Sequence, residues 1–245
     1  MSIKTFELIS TTEDGVELIS YIALPEDADD DNPVAGILVV PEWWGVVEHP
    51  KNVTERLAKA GYAAVAMDVY GEGKLTSDAA QANMWMEQVL EDPDMLMARC
   101  RLILNDFSDQ LAVDGNNLGA IGFCFGGKVV LDMAREGMPL KAVATFHGNP
   151  SAKQPADKNF KAKVLVAHGR DDSMVSMEAI EGLKAELDAA DVDYTIDVYD
   201  GAKHGFTNPH ADERAAKNKV DLGYNETAAK QSWENMLEFM KTNLG

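Results

Sequence analysis

The sequence predicts an α/β protein built on an eight-stranded, mostly parallel sheet with helices on both faces. Three observations carry this. From about residue 34 onward, short apolar runs alternate with helical stretches, the signature of strand–helix–strand units. The run Val34–Val40 is continuously apolar, as expected of a strand covered on both faces. Ahead of it, the alternating segments Thr5–Ile9 and Val16–Ala23 flank Glu13-Asp14-Gly15, a turn signature that makes them an antiparallel hairpin.

The elements follow in order. The acidic stretch Ala28–Asp31 is a short loop, and Val34–Val40 is the third strand. A helix over Asn52–Ala60 comes next, closed by Gly61, which suits the left-handed position after a helix. The fourth strand is Tyr62–Val69, followed by helices over Asp78–Leu90 and Asp94–Gln110. Strand Leu118–Phe123 leads into helix Gly126–Arg135. Strands Ala142–Phe146 and Lys163–Ala167 precede helix Ser176–Ala190, whose apolar residues recur at helical spacing. Strand Tyr194–Val198 and helix Glu226–Thr242 complete the chain. With no repeat, linker or low-complexity tract, residues 1–245 are expected to form a single domain. Ligands of such sheets bind at the carboxyl ends of the strands, so the residues just after each strand are the candidates for chemistry.

Composition narrows the function classes. There are 41 acidic residues against 22 basic, a formal net charge of -19. Such a surface repels phosphate backbones and anionic lipid, which argues against nucleic-acid and membrane partners and is otherwise read as solubility. The two cysteines, Cys100 and Cys124, make no disulfide framework, and Met1–Phe6 has no long apolar run. A cytoplasmic protein is therefore expected. No Cys/His spacing resembles a zinc site, and Gly71-Glu72-Gly73 lacks the lysine and helix of a phosphate loop. No cofactor or metal is expected.

The strongest local signal is Gly122-Phe123-Cys124-Phe125-Gly126-Gly127, between a strand and a helix. This is the G-x-nucleophile-x-G elbow with cysteine in place of serine. Its turn is tight enough to strain the nucleophile, and side chains at the flanking glycines would clash. It also sets the sulfur at a helix N-terminus, which favours a thiolate. Alone, the segment is nearly as compatible with a buried structural cysteine.

Two later segments shift the balance. His168-Gly169-Arg170-Asp171-Asp172 follows the strand Lys163–Ala167, and Gly201-Ala202-Lys203-His204-Gly205-Phe206 follows the strand Tyr194–Val198. Nucleophile, acid and histidine thus occur in the order of the α/β-hydrolase fold. A free thiol, with a pKa of about 8.5, is mostly protonated at neutral pH. An imidazole at His204 would take the proton and return it to the leaving alkoxide, while the carboxylate holds the right tautomer. Backbone N–H donors for the oxyanion are expected from Phe125, directly after Cys124, and from Trp43, after the third strand.

These segments, with Glu42-Trp43-Trp44-Gly45, Asp68-Val69-Tyr70-Gly71 and His204-Gly205-Phe206-Thr207-Asn208-Pro209, resemble the dienelactone hydrolase (carboxymethylenebutenolidase) family of α/β-hydrolases over nearly the whole chain. The resemblance implies a Cys-His-Asp triad and a glutamate, here Glu42, that interacts with the resting thiol and helps convert it to a thiolate. The family's aspartate spacing fits Gly169, Asp172 and Val175, which favours Asp172 over Asp171. It also implies arginines that grip a substrate carboxylate, yet their positions hold Glu72 and Asn208. A buried carboxylate without a cation is costly, and neither Lys74 nor Lys203 offers a bidentate fork. A neutral ester or lactone is the expected substrate.

Trp44, Tyr70, Trp85 and Phe206 are the candidate substrate-binding residues, with core packing as the alternative for the tryptophans. The methionine-rich stretch Met84–Met97 is read as packing or a lid, Cys100 as a core or half-buried thiol, and His49, His147, His168 and His210 as structural histidines, with His147 and His168 near enough to strand ends to approach the pocket. A thioesterase or acyltransferase on the same triad, or a non-catalytic redox-sensing or interaction protein, are the competing functions. The enzyme is expected to work as a monomer or homodimer on a small molecule.

Overall fold

In the computed structural model, which describes all 245 residues, the strands are β1 (Ile3–Thr11), β2 (Glu17–Pro25), β3 (Val34–Val40), β4 (Ala63–Ala66), β5 (Val113–Phe123), β6 (Ala142–Phe146), β7 (Lys163–Gly169) and β8 (Tyr194–Tyr199). The helices are α1 (Glu48–Lys59), α2 (Ala79–Glu91), α3 (Pro93–Ser108), α4 (Phe125–Arg135), α5 (Met177–Ala189), α6 (Ala211–Asn218) and α7 (Glu226–Leu244). The eight strands form one sheet in the order β1-β2-β4-β3-β5-β6-β7-β8. β1 pairs antiparallel with β2, and β2 with β4. The pairs β3–β4, β6–β7 and β7–β8 are parallel. This is the α/β-hydrolase architecture that the sequence predicts, eight-stranded and mostly parallel.

The chain divides into two compact units, Met1–Ala120 and Ile121–Gly245. In the first, Ile22, Ile37, Leu38 and Val65 are fully buried on neighbouring strands, and α1 lies against β2, β3 and β4. Cys100, on α3, is fully buried, as expected of a core thiol. In the second unit, α4 packs on β6, while α7 packs on β6 and β7. Arg135, in the last turn of α4, joins Asp132 and the α5 carboxylate of Glu186 and also donates to the Pro150 carbonyl.

Several bounds differ from the sequence reading, β5 starting at Val113 rather than Leu118 among them, and three elements differ for a local reason. α1 starts at Glu48 rather than Asn52. Pro50 falls in its first turn, where a missing N–H costs no helical bond. β4 stops at Ala66 rather than Val69. Beyond it the Asp68 carboxylate takes the N–H groups of Ile19, Gly71 and Gly73 and turns the chain into a loop. The helix α6 was not predicted. Only Ala211 of its residues is buried, so it has no apolar stripe to read.

Candidate active site

Cys124 occupies the sharp turn between β5 and α4, with φ 54° and ψ −116°. That conformation is strained for any residue with a Cβ. The flanking glycines make the turn feasible. A Cβ on Gly122 would overlap the Gly126 carbonyl oxygen, and one on Gly127 would lie 2.8 Å from the Cα of Gly148. The sulfur is therefore carried at the N-terminus of α4, half-buried. Phe125 is the first residue of that helix.

His204 and Asp172 come from the loops after β8 and β7. The His204 Nδ1 lies 2.8 Å from Asp172 Oδ2. The other carboxylate oxygen accepts from the N–H groups of Met174 and Val175, at 2.8 and 2.9 Å. Asp171, its neighbour, is exposed. Nε2 of His204 is buried and makes no hydrogen bond of full geometry, although the Cys124 sulfur is near enough to act on the ring. Burial alone would pull the His204 pKa down. The charge of Cys124 and the Asp172 hydrogen bond outweigh it and lift the imidazole to about 10. For Asp172, burial works against the charge, but the His204 contact and the two backbone N–H groups hold the carboxyl below the usual carboxylate range. Electrostatically, imidazolium and carboxylate stabilise one another.

The family model for the dienelactone hydrolases matches residues 18–244, from β2 to the end of α7. The chain belongs to the dienelactone hydrolase family. It is 30% identical to a Salmonella typhimurium protein that carries the provisional name carboxymethylenebutenolidase, over 95% of this chain and 85% of that one. A Synechocystis protein with the same provisional name is 28% identical over 100% of this chain and 99% of its own. Among solved structures, a dienelactone hydrolase-like promiscuous phosphotriesterase from metagenomic libraries is 31% identical, covers 100% of both chains and superposes with a TM-score of 0.92. This dienelactone hydrolase family member is thus a hydrolase of the class that opens carboxylic esters or lactones.

The remaining predicted residues lie in the first unit, Phe206 excepted. Glu42 is buried just after β3. Trp43 is half-buried, and its carbonyl accepts from the Tyr70 hydroxyl at 3.0 Å. Tyr70 packs against Trp85, with ring centroids 5.9 Å apart, and Trp43 meets Trp44 edge-on at 5.0 Å. Trp44 is buried, while Trp85 is half-buried. Arg99 of α3 donates to the carbonyls of Val69 and Tyr70, so the loop carrying Tyr70 is braced from behind. Phe206 is fully buried against His147 and Tyr199.

Two histidines that the sequence reading left as structural lie close to His204. His168 is buried, neither ring nitrogen makes a hydrogen bond of full geometry, and burial pushes its pKa down. His147 joins the elbow to the His204 loop, through Cys124 N–H and the Thr207 hydroxyl. Its position after a strand was the only sequence signal for either.

Proposed function

We propose that this protein hydrolyses a neutral carboxylic ester or lactone with a Cys124-His204-Asp172 triad, through a thioester acyl-enzyme. The 2.8 Å contact of His204 with Asp172, beside the strained Cys124 elbow, carries the proposal. An imidazole lifted to about 10 supports His204 as the base that takes the Cys124 proton, leaving a thiolate–imidazolium pair for attack.

The thiolate attacks the carbonyl carbon. The oxyanion is taken by the N–H groups of Phe125 and Trp43. As the tetrahedral species collapses, the His204 proton passes from Nε2 to the departing alkoxide. The neutral imidazole then accepts a proton from water, which attacks the thioester. Collapse releases the acid and restores the thiolate. Asp172 holds Nδ1 protonated throughout, so that Nε2 is the atom that exchanges protons. Glu42 is proposed to act on the resting thiol, in keeping with the family pattern. Trp44, Tyr70, Trp85 and Phe206 are proposed as the substrate-binding residues. The two units are read as one α/β-hydrolase domain, working in the cytoplasm as a monomer or homodimer. A neutral phosphotriester is a natural second probe, since the metagenomic relative is named for that substrate class.

The test is turnover of a chromogenic short-chain ester before and after iodoacetamide, in the native protein and in Cys124→Ala. Turnover that both alkylation and Cys124→Ala abolish is the expected result. Undiminished turnover in Cys124→Ala would place the nucleophile elsewhere, and no turnover in the untreated protein would sink the hydrolase reading of this site.

A further inference from the structure

We infer that His147 is a positioning residue for this chemistry, fixing the nucleophile's backbone and the His204 imidazole against each other. The inference rests on the Cys124-His204-Asp172 reading and adds a fourth side chain to it. Four contacts meet at one buried ring, which is 1% exposed. His147 Nδ1 accepts from the Cys124 N–H at 3.1 Å. Its Nε2 lies 2.9 Å from Thr207 Oγ1, three residues beyond His204. The ring meets His204 edge-on, with centroids 5.1 Å apart and planes at 63°, and meets Phe206 at 5.4 Å and 76°.

Hydrogen-bond roles follow from the donors. A backbone N–H can only donate, so the Nδ1 it meets is unprotonated in the neutral ring. The proton then sits on Nε2, and Thr207 Oγ1 accepts it. The Cys124 N–H is shared with the Phe146 carbonyl at 3.0 Å. It is thus directed at β6 and His147, leaving the oxyanion to other donors. His147 holds its own backbone at φ 43°, outside the usual range for a non-glycine residue, while its N–H bonds to the Ala167 carbonyl on β7. Strain of this kind persists only where surroundings over-determine it. Here a strained residue braces another strained residue, Cys124, at φ 54°.

The mechanical consequence is specific. His204 is held at Nδ1 by Asp172, while its Nε2 makes no hydrogen bond of full geometry. The His147 face limits rocking of that ring and keeps Nε2 toward the sulfur. Misplacement by about 1 Å can cost on the order of 100-fold in rate. Loss of His147 should therefore fall on kcat rather than on KM. It should also weaken the pairing of Cys124 with His204 and so slow alkylation near neutral pH, with little change at high pH.

Three variants test this in the full chain. His147→Phe keeps an aromatic ring and removes both nitrogens. His147→Asn keeps an acceptor near the place of Nδ1. Thr207→Val removes only the hydroxyl. Melting temperature, kcat and KM on a chromogenic ester, and the pH dependence of iodoacetamide alkylation are read for each. The expected result for His147→Phe is a kcat loss of tenfold or more with KM within about twofold, and alkylation slowed at pH 7 relative to pH 9. Thr207→Val should lose about threefold, and His147→Asn should recover part of the loss. If His147→Phe fails to fold, Thr207→Val decides by the same readouts. A kcat within twofold of native, or a loss that follows melting temperature while the alkylation profile stays native, overturns the inference. The triad reading stands or falls separately, on Cys124→Ala.

Discussion

The Asp172 carboxylate holds His204 with one oxygen and its own loop with the other. Oδ2 lies 2.8 Å from His204 Nδ1, and Oδ1 accepts from Met174 and Val175 N–H. The backbone thus fixes which oxygen faces the imidazole. In Asp172→Asn the side-chain oxygen must stay with the two N–H donors, so the amide NH2 faces Nδ1. That forces the proton to Nε2, the wrong tautomer for accepting one. The expected loss in kcat is about 100- to 10,000-fold, with the melting temperature little changed. Kinetics of the purified variant check this, and a loss below tenfold would remove Asp172 from the triad.

The same pair makes stability depend on pH in two directions. His204 is raised from 6.5 to about 10 in the folded protein, burial opposing and the charges of Cys124 and Asp172 prevailing. Its contribution is full below about pH 6.5 and is lost as pH rises toward 10. Asp172 is lowered from 3.8, so its contribution is present above that value and is lost as pH falls through the folded one. The pair therefore stabilises most between about pH 4 and 6.5. Melting temperatures of native protein and His204→Gln should differ most in that window and converge toward pH 10. A constant difference across it contradicts the ion pair. Cys124→Ala should flatten the alkaline slope, because the charge at Cys124 is the first of the causes that raise His204.

At the elbow, stability and activity conflict. Cys124 sits at φ 54° and ψ −116°, a region open to glycine and strained for others by roughly 1–3 kcal/mol. Cys124→Gly should melt higher than Cys124→Ala, both without ester turnover. Gly122→Ala is the reverse case, because its Cβ would overlap the backbone oxygen of Gly126, which cannot swing aside. That variant should lose about 3 kcal/mol or more, or fail to fold. Denaturant unfolding of the three variants orders them.

Much of this site was legible because its residues obey local rules. The Gly122–Gly127 motif encodes a turn whose glycines the backbone demands, and the apolar runs of β3 and β6 match the strands residue for residue. Asp172 and His204 were readable from their place after β7 and β8. His147 was not, because its role comes from contacts 23 and 60 residues away along the chain, with Cys124 and Thr207. Residues 67–69 read as strand in the sequence because Met67 and Val69 are apolar, although β4 ends at Ala66. The backbone there is governed by one carboxylate, Asp68, accepting from three N–H groups. α6 escaped notice because a solvated helix leaves no hydrophobic period.

Substrate charge is the remaining expectation, and the positions where the family pattern calls for arginine now have a physical account. Glu72 is exposed and pairs with Lys74 at 2.9 Å, so that lysine is already engaged by a carboxylate. Lys203 is likewise paired with Asp221 at 2.8 Å. Asn208 is buried, and its side-chain oxygen accepts from the His210 N–H at the start of α6. It is part of a turn and has no charge to offer. On the family pattern, position 72 offers a carboxylated lactone no arginine, and desolvating a carboxylate without a charge-assisted partner costs several kcal/mol. An uncharged short-chain ester should therefore exceed a carboxylated lactone of similar size in kcat/KM by about 100-fold or more. Glu72→Arg should narrow that ratio by raising turnover of the acid, chiefly through KM, with the neutral ester little affected. A native preference for the carboxylated lactone would mean that cations from elsewhere reach the substrate, and the neutral-substrate reading would be withdrawn.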